Sequence, residues 1–111
     1  MAFSATKTML GNVAQIELVG ELDAAAAGDF RKLVDEAANE GAKRLVLMMA
    51  ALEYMASAGL RALVFAKQKM GANTDIYLVG TNESVMETLE LTGFHHSVIT
   101  VAALDPSILQ L

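Results

Sequence analysis

Along the chain the spacing of apolar residues switches between a period near two and a period near 3.6. FSATKTML (3–10) and VAQIELVG (13–20) read as strands, and the two residues between them, Gly11 and Asn12, are a short hairpin signal, so antiparallel pairing is expected. From Asp23 to Gly41, Ala26, Phe30, Leu33, Val34 and Ala37 follow helical spacing, with Asp23 placed as N-cap and Gly41 as terminator. RLVLMM (44–49) is a continuous apolar run, as expected of a central parallel strand covered on both faces. A second helix is expected from near Ser57 to near Gly71. DIYLVG (75–80) repeats the buried-strand signature, and a third helix follows with Asn82 as cap and Gly93 as its left-handed stop. SVITV (97–101) reads as an edge strand, and LDPSILQL (104–111) as the start of a terminal helix, with Asp105 as cap and Pro106 in the first turn.

Strands alternating with helices predict an α/β layer structure with right-handed crossovers between parallel strands. The opening hairpin makes the sheet mixed rather than wholly parallel. No stretch has the composition of a linker, so residues 1–111 are expected to form a single domain, the usual size for one core without disulfides or metals. Hydrophobic residues make up 54% of the chain but tryptophan is absent, which leaves packing to Val, Leu, Ala and seven methionines.

Composition narrows the chemistry. There is no cysteine, hence no disulfide, thiol nucleophile or zinc–thiolate site, and a reducing, cytoplasmic setting is expected. The N-terminus lacks a basic-then-apolar leader pattern, and no run approaches the ~20 apolar residues of a membrane span, so no membrane insertion is expected. A formal charge of −5 argues against broad nucleic-acid binding, which needs clustered Lys and Arg, and favours protein partners. Gly20, Gly59, Gly80 and Gly93 stand alone, with neither the dinucleotide nor the nucleoside-triphosphate spacing, so no cofactor is expected. His95 and His96 are adjacent and would point to opposite faces in an extended chain; they read as a solvated loop pair rather than a metal site. Ser57 has no G-x-S-x-G elbow and no evident His–acid partner. Asp23 has a capping role that explains it without acid–base catalysis. An enzyme is not expected.

Ser57, in EYMASAGLRALVF (53–65), has two readings from its position. It can be an N-cap whose hydroxyl accepts from a free backbone N–H of the following helix. A helix start is equally a place where a phosphate on that hydroxyl would be stabilised by the dipole and the unpaired amides. In the helix itself, Leu60, Leu63, Val64, Ala66 and Met70 share a core-facing side, whereas Arg61, Phe65 and Lys69 fall opposite. Phe65 is therefore expected to be exposed among cations, as a protein-binding anchor.

Three segments resemble, in order and spacing, the STAS domains of anti-sigma factor antagonists (anti-anti-sigma factors). VGELDAAAAGDF (19–30) is similar to the family's strand, G-x-L-D turn and first helix. RLVLMMAALEYMASAGLRAL (44–63) resembles its central strand, loop and phosphoserine motif, and VMETLELTGF (85–94) its late helix ending in L-T-G. The resemblance implies a single STAS-type domain, with a mixed, mostly parallel sheet, an N-terminal antiparallel hairpin and helices packed on it. It implies that Ser57 is the phosphorylated serine and that the partner is an anti-sigma factor with serine kinase activity. The unphosphorylated form would bind that factor and free the sigma factor. The contact would comprise Asp23, Ser57, Gly59, Leu60, Arg61 and Phe65, with self-association left open. Two polar positions of the family pattern are replaced: the central strand ends in Met48, Met49 and Ala50 where an Asp is usual, and Ala56 stands where Asp or Ser often precedes the phosphoserine. An alternative from another class is therefore a non-phosphorylated STAS scaffold or subunit, stressosome-like or the cytosolic component of a lipid ABC transporter.

Overall fold

The computed structural model describes residues 2–111. Strands β1 (Ser4–Leu10) and β2 (Val13–Leu22) form the expected hairpin, with Leu10 opposite Val13 and Ser4 opposite Val19. Gly11, at φ +61°, takes the first central position of the turn, where a left-handed backbone matches the twist of the strands it joins. Helix α1 (Ala24–Asn39), β3 (Arg44–Met55), α2 (Ser57–Met70), β4 (Asp75–Val79), α3 (Glu83–Thr92) and β5 (Ile99–Val101) follow. The sheet order is β1-β2-β3-β4-β5, antiparallel between β1 and β2 and parallel thereafter. This is the mixed α/β sheet expected from the sequence, with β3 at its centre.

Because β2 to β5 are adjacent in chain order, crossovers of one hand lay all three helices on one face. Phe30, Val34 and Ala37 of α1, Ala62, Leu63 and Ala66 of α2, and Val85 and Leu89 of α3 meet Ile16, Leu18, Leu45, Leu47, Ile76 and Leu78 of the sheet there, all of them buried. Each large side chain buried this way contributes about 1.5–3 kcal/mol relative to exposure. The second face of β3 is covered too, but not by a helix layer. Ile108, Leu104 and Leu109 of the C-terminal segment close over Val13, Val46 and Val79. Arg44 holds that segment in place, donating to the carbonyls of Ile108 (3.1 Å) and Gln110 (3.2 Å) while its guanidinium lies 5.1 Å from the Tyr77 ring and 3.7 Å from Asp75.

Three expectations need correction. The terminal helix is a four-residue 3-10 turn, Pro106–Leu109, though Asp105 caps it as expected. Ile108 packs on the sheet and Arg44 takes the Ile108 and Gln110 carbonyls, so those groups are committed outside a helix and the backbone is extended again at Gln110. His95 and His96 sit in another 3-10 turn, Phe94–Ser97, so their rings do not point apart but lie 3.9 Å centroid to centroid. The apolar stretch after Met49 is not a loop: β3 runs on to Met55. Its pairing with β2 slips between Glu17 and Val19 and again between Gly20 and Glu21, each time by one extra residue on β3. The bulges change the strand's side-chain period from two to three, burying Met49, Leu52 and Met55 and exposing Ala50, Ala51, Glu53 and Tyr54 between them.

Candidate functional site

The parallel strands deliver the starts of α1, α2 and α3 to the same edge of the sheet, beyond the C-terminal ends of β2, β3 and β4. β2 and β3 end opposite one another, Leu22 against Met55, and the Ala56 amide donates to the Leu22 carbonyl at 3.0 Å. Asp23 and Ser57, the next residue of each chain segment, therefore flank a single backbone clasp. Both are exposed.

Two of the three helix starts are closed by side chains. Asp23 Oδ1 accepts from the Ala26 amide at 2.9 Å, and Asn82 Oδ1 from the Val85 amide at 2.8 Å. Asn82 also donates through Nδ2 to the Leu52 carbonyl at 3.0 Å, which ties the β4–α3 turn to the bulged end of β3. Helix α2 differs. Its N-cap is Ala56, which has no side chain to offer, and Ser57 is the first helical residue. The expectation that Ser57 caps the helix is thus corrected by one position: an N1 side chain points away from the amides that an N-cap side chain reaches. The Ser57 hydroxyl is instead presented outward, beside amides that no side chain has closed. Glu53 and Tyr54, both exposed, project from the bulge just ahead of it, and Glu83 lies in the first turn of α3.

Down α2 the residues named from the sequence divide. Gly59 is buried, and a Cβ there would stand 2.5 Å from the Leu22 carbonyl oxygen, so it sets the approach of helix to strand and offers no surface. Leu60 is half-buried against the main core, and Arg61 is exposed. Phe65 is not exposed as expected. It is half-buried, packed on the core, with the Arg31 guanidinium of α1 lying 5.1 Å from its ring centroid. Lys69 leaves it to pair with Asp35 at 3.7 Å. A partnership between Arg31 and Phe65 depends on how α1 and α2 pack and has no local signal in the sequence. Arg31, Arg61, Val64, Phe65 and Gln68 together line an open groove of about 300 Å³ between the two helices. No helix among the described residues is long and apolar enough to cross a membrane, and no three His, Asp or Glu side chains among them gather as a metal-binding group.

The sequence from residue 4 to residue 108 matches the family described as STAS domain. No curated protein matches it. Among solved structures, an anti-sigma factor antagonist from Mycobacterium paratuberculosis superposes with a TM-score of 0.85 at 20% identity, over 96% of this chain and 92% of that one. The anti-sigma factor antagonist SpoIIAA in its unphosphorylated form gives 0.73 at 18% identity, over 96% and 93%. The phosphorylated form of SpoIIAA, a Bacillus cell fate determinant, gives 0.69 at 18%, over 91% and 92%. Likeness at these identities is likeness of fold, and the family assignment rests on the sequence match, which spans the clasped helix starts and reaches Ile108 of the C-terminal segment. The chain belongs to the STAS domain family.

Proposed function

We propose that this protein is an anti-sigma factor antagonist that binds an anti-sigma factor with serine kinase activity and is released from it by phosphorylation of Ser57. The observation that carries this reading is the start of α2: an exposed serine at the first helical position, behind an N-cap without a side chain, on a STAS fold whose solved likenesses include anti-sigma factor antagonists. A kinase can reach that hydroxyl without unfolding the helix. The chain supplies only the acceptor hydroxyl, the partner supplies ATP and its chemistry, and the protein itself is not an enzyme. Asp23, Ser57 and Arg61 form the exposed part of the contact, with Leu60 and Phe65 half-buried behind them and Gly59 holding the helix at its distance. A phosphate at Ser57 places a dianion between Asp23 and Glu53, where it must be desolvated for the partner to dock. The setting for this exchange is the cytoplasm.

A second reading, a scaffold or transporter-associated STAS subunit that is not phosphorylated, draws on one feature: Ala50, Ala51 and Ala56 leave the rim of the site without the polar side chains that would present Ser57 to a kinase. Incubating the purified chain with candidate anti-sigma kinases and ATP separates the two. One phosphate on Ser57 by mass spectrometry is expected, with Ser57→Ala refusing label yet retaining the partner and Ser57→Asp binding at least about tenfold more weakly, the scale of one charge brought into a contact. An Asp variant that binds the authentic partner as tightly as wild type, with no phosphate on Ser57, would leave the scaffold reading.

A further inference from the structure

We propose that the groove between α1 and α2 takes the end of α3 from a second copy of this chain, so that copies join head to tail. The groove has an apolar floor, Val64 and Phe65, between two arginines, Arg31 and Arg61, neither of which forms an ion pair among the described residues. In a chain of net charge −5 these two guanidiniums give the groove local positive charge. The complementary patch is on the same molecule. Leu91, near the end of α3, is 87% exposed, the most exposed large apolar side chain among the described residues. Glu87, one helical turn before it, and Glu90 beside it are exposed, and they too form no ion pair among the described residues.

A leucine flanked by two carboxylates is the mate of an apolar slot flanked by two guanidiniums. Leu91 would settle on Val64 and Phe65 while Glu87 and Glu90 meet Arg31 and Arg61, removing an apolar side chain from water and pairing four charges in one step. Groove and leucine end are different patches, so a contact that uses one of each leaves every copy with a free groove or a free leucine end, and copies add head to tail, into a ring where the rotation closes and an open series where it does not. The surface involved is small, so association is weak and depends on concentration. This goes beyond the role proposed for Ser57 and does not depend on it, although Arg61 and Phe65 belong to both contacts.

Sedimentation velocity of the full chain over a series of concentrations tests it. Wild type is expected to sediment faster as concentration rises. Arg61→Glu, which spoils the groove, and Leu91→Asp, which spoils the leucine end, are each expected to stay monomeric; both sites are exposed, and circular dichroism checks the fold. Mixed one to one, these variants are expected to form a discrete dimer that grows no further, since one keeps an intact leucine end and the other an intact groove. A wild type that remains monomeric throughout, a variant that associates as wild type does, or a mixture that stays monomeric would each overturn the proposal, and the groove would then be free for a foreign partner.

Discussion

Gly59 shows how little room the start of α2 leaves. Its missing side chain admits the Leu22 carbonyl, and Leu22 Cγ and Met55 Cγ would each stand 2.9 Å from an added Cβ. The nearest obstacle is backbone, so Gly59→Ala must push α2 away from β2 and is expected to cost about 1–3 kcal/mol, read as a lower urea midpoint at an unchanged m-value. Ser57 is the opposite case. With the cap position at Ala56, Ser57→Ala removes no helix-capping bond, and its effect on stability is expected to lie within about 0.5 kcal/mol. A loss near the ~1 kcal/mol of a true cap would return the hydroxyl to a structural role. Asp105 supplies a pH test. The Ser107 backbone N–H, 2.9 Å from its carboxylate, holds the Asp105 pKa below its ordinary 3.8. A depressed carboxylate stabilises the fold above its unfolded value and loses that contribution as pH falls through the folded one. The Pro106–Leu109 turn should therefore loosen only below pH 3.8, with the Asp105 carboxyl and the Ser107 amide titrating together by NMR. A common midpoint at or above 3.8 would refute the bond.

At the level of elements, β3 is where the chain departs most from its apparent pattern. Caps and turns are local chemistry, so Asp23, Asn82, Gly93 and the Gly11–Asn12 hairpin could all be read from the sequence and appear where expected. The outer half of β3 could not. Two bulges give it a spacing of three, Met49, Leu52 and Met55, which resembles neither strand nor helix and passes for an apolar loop. The start of α2 was legible to within one residue, and that residue decides whether Ser57 caps the helix or is its first member, with no capping bond to make. The Arg31–Phe65 contact and the tilted contact of the His95 and His96 rings lie beyond local pattern altogether, because the first needs the packing of two helices and the second a 3-10 turn that four residues of polar and aromatic sequence do not announce. Asn82 ties the bulged segment to α3, so Asn82→Ala is expected to remove both a cap and a bond to the Leu52 carbonyl, at a cost of about 1–3 kcal/mol. Hydrogen exchange should show the loss concentrated in residues 49–55 and the first turn of α3, and uniform protection there would mean the bulges hold their shape unaided.

Across the whole molecule the two faces of the sheet are held by different means. Three helices cover one face, whereas the other is closed over Val46 by a short C-terminal segment anchored through Arg44. Arg44→Met keeps most of the side chain's apolar stem but removes the donors to the Ile108 and Gln110 carbonyls. It is expected to release residues 104–111 while leaving the helical layer folded, which limited proteolysis followed by intact-mass measurement would detect; simultaneous loss of the core would show the segment to be integral to folding. Towards β1 that same face is bare. Thr6, Thr8, Gln15, Glu17 and Met48 line a shallow open depression of about 220 Å³, and Thr6 and Thr8 are exposed with side chains directed away from the helices. Since the chain contains no cysteine, a thiol introduced at Thr8 would be its only one. A dye or a tether attached there stands on the bare face of the sheet while the helices and the Ser57 edge stay free, so that arrival and departure of a partner can be timed on single molecules.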